Sequence, residues 1–295
     1  MAFVTGTANS FADLLTAVQN ACTANGYTLT GNVLSKGSLY AQVSISGSNL
    51  AVIAGTGQSA GVLSGTSDVG AAMLGFATSG TALSTNGFTF PMPYYCHIGV
   101  TPDEVTFIVN PNGTQYQYIA FGQSSVGGLV GSGNWFAGSC PGVNATTMST
   151  MDIRSIGGYM QLGGYLNSGL FQGLQGNPAS QNGAVDHKLD TATWAVNGGA
   201  WFDAFTLLKN LPSSWNGESS LVPVQIHTAR PSGFYSMVAE LAHARFVMLD
   251  NLTDQQIITL GSDRWKVYPW WKRGLRGVYT ADTGTLGHAI RYDGP

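Results

Sequence analysis

The sequence predicts an α+β chain that is mostly antiparallel β. One helical stretch near the N-terminus is followed by short runs with strand periodicity. Turn residues separate several of those runs at hairpin spacing. Helices and strands do not alternate, as a parallel βαβ sheet would require.

The helix is expected over Ser10–Ala24. Ser10 is a good N-cap, and Asp13 three residues on completes a variant of the capping box. Phe11, Leu14, Leu15, Val18 and Cys22 recur at the spacing of one helical face. Asn25-Gly26 supplies the stop, because glycine enters the left-handed conformation at no steric cost.

Strands follow. Leu39, Ala41, Val43 and Ile45 alternate with Tyr40, Gln42 and Ser44, the pattern of a half-buried strand. Gly47-Ser48-Asn49 reads as a turn, and Leu50–Ala54 as the returning strand. Tyr94–Val100, Val105–Asn110 and Thr114–Phe121 come next, the last two joined by Pro111-Asn112-Gly113. Towards the C-terminus, Arg245–Leu249, Gln256–Leu260, Arg264–Tyr268 and Leu286–Tyr292 read as strands, with Gly261-Ser262-Asp263 as a tight turn. These divide the chain into an α+β body (1–122), a Gly-rich irregular arm or insertion (123–230) and a β segment (231–295). The helix is expected to pack on the strands of the body, and the last segment to close a small sandwich or barrel. The double glycines at 127–128, 157–158, 163–164 and 198–199 set the middle apart.

Composition sharpens the question of function. Only 9% of residues are charged, the net charge is -3, and there are 40 glycines, yet 44% of residues are hydrophobic. Disorder requires low hydrophobicity with high net charge, and this chain has neither. No apolar run is long enough for a membrane-spanning helix. The opening residues lack the basic and apolar regions of a signal peptide. The mild charge weighs against electrostatic binding to nucleic acid. Residues 1–150 hold a single basic residue, Lys36, with Asp13, Asp68, Asp103 and Glu104. Either partners cover a surface this neutral, or it is rich in Ser, Thr, Asn and Gly.

Chemical motifs are sparse. Gly57-Gln58-Ser59-Ala60-Gly61 fits the G-x-S-x-G elbow of serine hydrolases, which needs a strand before Ser59 and a helix after it. The strand is there; Val62-Leu63-Ser64-Gly65-Thr66 is a poor helix. His97, His187, His227, His243 and His288 form no metal-ligand spacing. Asp186-His187 sits in polar sequence and reads as a solvated pair. Cys22 lies on the apolar helix face, and Cys96 and Cys140 remain a candidate pair. No nucleotide loop and no carboxylate couple stands out, so no catalytic, cofactor or metal residue is assigned. Arg264, Lys266, Lys272, Arg273 and Arg276 interleave with Trp265, Tyr268, Trp270 and Trp271. Such a patch suits stacked single-stranded nucleic acid, inward packing of the rings, or interface anchoring. Arg264, Trp265, Trp270, Trp271 and Arg273 are taken as candidate interface anchors.

The two ends of the chain also carry a resemblance. Thr5-Gly6-Thr7-Ala8, Leu14-Leu15 and Asn25-Gly26-Tyr27-Thr28 resemble the start of a group of tailed-bacteriophage structural proteins. Asn251-Leu252-Thr253, Ile257–Gly261, Asp263–Trp270 and Thr283–Tyr292 look like the same group. The resemblance implies a non-enzymatic virion component, assembled in the cytoplasm of a bacterial host. Its expected form is a six- or twelve-fold homo-oligomeric ring in the tail or neck, of collar or tail-terminator type, in contact with other virion proteins. The alternatives are a tail-tip or baseplate role and a receptor- or glycan-binding module using Tyr94, Tyr95, Trp135 and Trp201. A hydrolase built on Ser59 is the remaining one.

Overall fold

The computed structural model describes residues 1–47, 49–67, 70–75, 90–110, 113, 116–138, 140–141, 183–191, 194, 220–231, 234–249, 251–269 and 286–295. Along the chain run β1 (Ala2–Ala8), α1 (Phe11–Thr23), β2 (Thr28–Thr30), β3 (Val33–Lys36), β4 (Leu39–Ser46) and β5 (Asn49–Gly55). Then come β6 (Gly57–Ser59), β7 (Val62–Ser64), β8 (Ala72–Gly75), β9 (Met92–Gly99), β10 (Glu104–Val109), β11 (Gln117–Gln123), β12 (Asn134–Gly138), β13 (Cys140–Pro141) and β14 (Gly183–Val185). The last are β15 (Leu221–Ala229), β16 (Tyr235–Met248), β17 (Ile257–Leu260), β18 (Asp263–Pro269) and β19 (Leu286–Arg291).

The helix follows its sequence signals closely. Ser10 Oγ accepts from the Asp13 N–H at 3.0 Å, and Asp13 reaches back to accept from the Asn9 N–H at 2.8 Å. At the other end Tyr27 N–H bonds to the Cys22 carbonyl, and Gly26 sits at φ +86°, where a side chain would be strained.

Every strand pairing is antiparallel, and no sheet among the described residues closes into a barrel. A central sheet runs β1-β9-β10-β11-β12-β14. A second sheet runs β13-β8-β5-β4-β3-β2, and a C-terminal sheet runs β15-β16-β19-β18-β17. The strands β6 and β7 form a separate hairpin. The expected C-terminal sandwich or barrel is therefore an open five-stranded sheet. It gains its apolar cover by docking on another layer, so it has no need to close on itself.

Alternation along the central strands explains that docking. Val105, Phe107, Val109, Ile119, Phe121 and Phe136 point to one side. There they pack with Ala41, Val43, Leu50 and Val52 of the second sheet and Leu14, Val18 and Cys22 of α1. Ile108, Tyr118, Ala120, Trp135 and Ala137 point to the other side and meet Val224, Ile226, Leu241 and Phe246 of the C-terminal sheet. The central sheet is thus buried on both faces. This is why its strands read as almost unbroken apolar runs, while β4 alternates cleanly. Each fully buried Phe contributes about 2–3 kcal/mol of transfer free energy.

Polar contacts tie the layers at the rim. Asn134 is buried and donates through Nδ2 to the carbonyls of Ser38 (2.8 Å) and Gly55 (2.9 Å). Lys36, the basic residue of the neutral half, pairs with Asp103 at 2.8 Å. Parts of the Gly-rich middle contribute regular structure: β12 and β14 extend the central sheet, and β15 edges the C-terminal one. The double glycines at 157–158, 163–164 and 198–199 lie outside the described residues. Cys96 is a free thiol inside the first core.

The two-faced burial has a measurable consequence. Truncating Phe121→Ala should cost about 3–5 kcal/mol in denaturant unfolding. Removing the helix cap with Ser10→Ala should cost only about 1 kcal/mol.

Candidate functional site

Among the described residues, a cluster of aromatic, basic and imidazole side chains lies where β1 meets β18 and β19. Strand β1 pairs with β9, which places Phe3 opposite His97. Strands β18 and β19 bring Lys266, Tyr268 and Arg291 against the same region. Period-two alternation sends Lys266 and Tyr268 towards the central sheet and Trp265 and Val267 to the other face.

His97 is at the centre. It is 1% exposed, with Nδ1 3.1 Å from the Arg291 carbonyl and Nε2 2.7 Å from the Tyr268 hydroxyl. A carbonyl only accepts, so Nδ1 carries the hydrogen and Nε2 accepts from Tyr268. Burial pushes the imidazole down to about 3; the Arg291 carbonyl opposes this and the Lys266 charge adds to it. The ring is therefore neutral at ordinary pH.

Around it stand aromatic rings. Phe3 meets Tyr292 edge-on at 4.9 Å, and Tyr268 contacts both Tyr95 and Tyr116 at 5.5 Å. The Lys266 ammonium sits 4.9 Å from the Phe3 centroid, 5.3 Å from Tyr292 and 5.6 Å from Tyr95. Contacts of this kind favour a cation by about 0.5–2 kcal/mol each. Burial nonetheless lowers the Lys266 pKa. Tyr116 donates to Asp254 Oδ1 at 2.6 Å, and the Gln255 amide donates to the hydroxyls of Tyr95 (3.0 Å) and Tyr116 (3.2 Å). The termini close the cluster: the Met1 amine lies 3.4 Å from Asp293, and Arg264 donates to the Gly294 carbonyl at 2.8 Å. The arrangement is one of recognition. An aromatic cage holds a cation, and the cation it holds belongs to the chain itself.

Several sequence expectations resolve against this geometry. Trp265 is 5% exposed, under the Arg245 guanidinium at 5.0 Å, so its ring packs within the chain. Arg264 is half-buried and lies over Tyr292 at 5.0 Å. With Trp265 and Tyr268 buried, neither ring is available as a stacking platform for bases. Trp270, Trp271 and Arg273 lie outside the described residues, as do Lys272, Arg276 and Trp201. Trp135, considered as an exposed sugar-stacking ring, is fully buried beneath the C-terminal sheet. Tyr94 is half-buried and stacks on Phe107.

Ser59 lies at the exposed end of β6, followed by Ala60 at φ +48° and Gly61 at φ +82°. Two successive positive φ values make a two-residue hairpin turn into β7. A strand therefore follows where a nucleophile elbow needs a helix. Asp186 and His187 are buried, where the sequence suggested a solvated pair. Asp186 Oδ2 accepts from both the backbone N–H and the hydroxyl of Ser132 at 2.8 Å, and His187 Nδ1 accepts from the Leu189 N–H at 2.9 Å. They anchor the loop before β12. Among the described residues no group of three or more His, Cys, Asp or Glu side chains is placed to hold a metal ion, and no helix is long and apolar enough to cross a membrane.

The sequence reading picked out Lys266 and Tyr268 as part of a basic aromatic patch and missed Phe3, Tyr95 and His97 as their partners. No local pattern links residues this far apart. The alternation of Lys266 and Tyr268 against Trp265 and Val267 was the usable signal, since it splits the patch between two faces.

No protein-family model matches the chain, and no curated protein matches its sequence.

His97 and His288 are both held near 3 by burial. Each binds a proton more readily in the unfolded chain, so each favours folding fully above about pH 6.5 and loses that contribution as pH falls towards 3. Denaturant titrations should show stability dropping through that window. His97→Gln should flatten part of the drop, at a cost of about 1–3 kcal/mol near neutrality.

Proposed function

We propose that this chain is a non-enzymatic structural subunit of a tailed-bacteriophage particle, forming a homo-oligomeric ring in the tail or neck. One observation carries the reading beyond the sequence resemblance itself. The strands that carry the resemblance, β1 at one end of the chain and β18 and β19 at the other, meet at a single site. Thr5-Gly6-Thr7-Ala8 lies in β1, and Asp263–Pro269 and Leu286–Arg291 are β18 and β19. Phe3 of β1, two residues before Thr5, meets Lys266 and Tyr292 of the C-terminal segments. Segments that share one packing site form one structural unit, and a unit made of a caged cation and packed rings serves assembly and shape.

The layered β architecture is compatible with this role. Its described sheets present strand edges, and many of the exposed described residues are Ser, Thr, Asn and Gly. Trp270, Trp271 and Arg273 are the interface anchors this reading assigns, with Arg264 at the margin of the junction. A collar or tail-terminator position is proposed ahead of a tail-tip or baseplate position.

Light scattering on the purified chain should give a mass several times that of the monomer, and negatively stained material should show rings. A strictly monomeric chain that is absent from purified particles would overturn the proposal. Trp270→Ala combined with Trp271→Ala should lower the assembled mass. Ser59 should not be labelled by a fluorophosphonate probe.

A further inference from the structure

On one side the C-terminal sheet reaches past the layer it covers. Lys266 of β18 already lies over Phe3 of β1, and β1 is the outermost strand of the central sheet. Strand β17 is one strand further out and pairs with β18 alone among the described strands. Its side chains show the overhang. Ile257 is 39% exposed, Leu260 is 50% exposed, and Thr259 is exposed as well. Gln255 to Ser262 contains no charged residue and no proline, the devices that usually keep an open strand edge from pairing.

The hairpin fixes which backbone groups are open. Gly261, at φ +60°, and Ser262 form a two-residue turn between Leu260 and Asp263, which face each other across the ladder. Residues flanking such a turn exchange both hydrogen bonds, and the pattern then alternates. Leu260 and Ile258 therefore bond towards β18. The Val267 N–H donating to the Gln256 carbonyl at 2.9 Å continues the same even-numbered series. The N–H and C=O groups of Ile257 and Thr259 point away from β18, at the free edge.

We infer that β17 is a strand-pairing site for a second copy of this chain, joined edge to edge across a two-fold axis at Ile258. In this register the open groups of Ile257 meet those of the partner's Thr259, and the reverse, giving four main-chain hydrogen bonds. Ile258 faces the partner's Ile258 at a non-hydrogen-bonded position, where side chains come closest. Ile258 already packs on the small core of Trp265 and Val267, so the pairing carries that core across the axis. An uncharged edge meets its own copy with no like-charge repulsion, whereas a charged partner strand would find no counter-charge on it. The opposite edge of the same sheet does not fit in its place, because β15 carries Pro223 and two shifts in register. The contact is thus isologous, distinct from the head-to-tail contact that closes a ring, and it goes beyond the ring reading. Three facing residues bury less than a standard interface, so the pair alone is weak.

The test combines sedimentation with residue-resolved amide exchange on the full chain over a range of concentrations. The Ile257 and Thr259 amides should exchange at least tenfold more slowly wherever the mass shows more than one copy than where it shows a monomer. The Ile258 and Leu260 amides, bonded within the hairpin, should not change. Thr259→Pro removes an N–H that β18 does not use, and it should raise the dissociation constant of the pair by tenfold or more. Thr259→Val keeps that N–H and should associate as the unaltered chain does. Slow exchange of Ile257 and Thr259 in a monomer would show that another segment of the chain covers the edge, and would overturn the inference. So would fast exchange in an assembled chain, undiminished association of Thr259→Pro, or an equal loss in Thr259→Val. Rings in which both amides exchange fast would leave the ring reading standing and remove this one. A two-copy species with slow amides and no rings would do the reverse.

Discussion

Burial of the central sheet on both faces is the constraint on which the rest of the structure depends. A sheet with two apolar faces cannot stand against water on either. It requires two covers, and the chain provides them from opposite directions: the second sheet with α1 from before and within its strands, the C-terminal sheet from after them. The aromatic junction, the rim contact through Asn134 and the hydrogen bonds from β16 to Glu104 all lie where a cover meets the central strands.

This changes the meaning of the neutral first half. Much of that neutrality sits in β9, β10, β11 and β12, whose side chains the chain itself encloses. Charge is absent there for the ordinary reason that buried charge is costly. The exceptions are instructive. Glu104 is inside because the Ala242 and His243 N–H groups of β16 need an acceptor, and Asp103 and Lys36 meet each other at the rim. The solvent side of the second sheet is polar but uncharged along β4, which offers Tyr40, Gln42 and Ser44 there.

Elements with local causes were readable from the sequence. Ser10, Asp13 and Gly26 bound α1, the alternation in β4 marks a one-sided strand, and Gly261 at φ +60° sits in the turn between β17 and β18. Strand ends shifted: β11 starts at Gln117, three residues after the expected Thr114, and β16 starts at Tyr235, ten residues before the expected Arg245. Layering was harder to read. An unbroken apolar strand says that both faces are covered and is silent about what covers them. The junction was half legible, since the basic aromatic patch was visible and its partners were not. Glu104 carried no signal at all: a single acid beside a turn looks like a solvated one until β16 is laid over it.

The same layering bears on how the chain reaches its folded state. Strand β1 is made first, yet Phe3 gains Lys266 and Tyr292 only when nearly the whole chain exists. Closing so long a loop is slow compared with forming a hairpin. Until β15 and β16 arrive, Tyr118, Trp135 and Ala137 form one uncovered apolar face on strands that are already paired. A chain emerging in order thus passes through a stage with half its central sheet bare, and that stage is where self-association competes with folding.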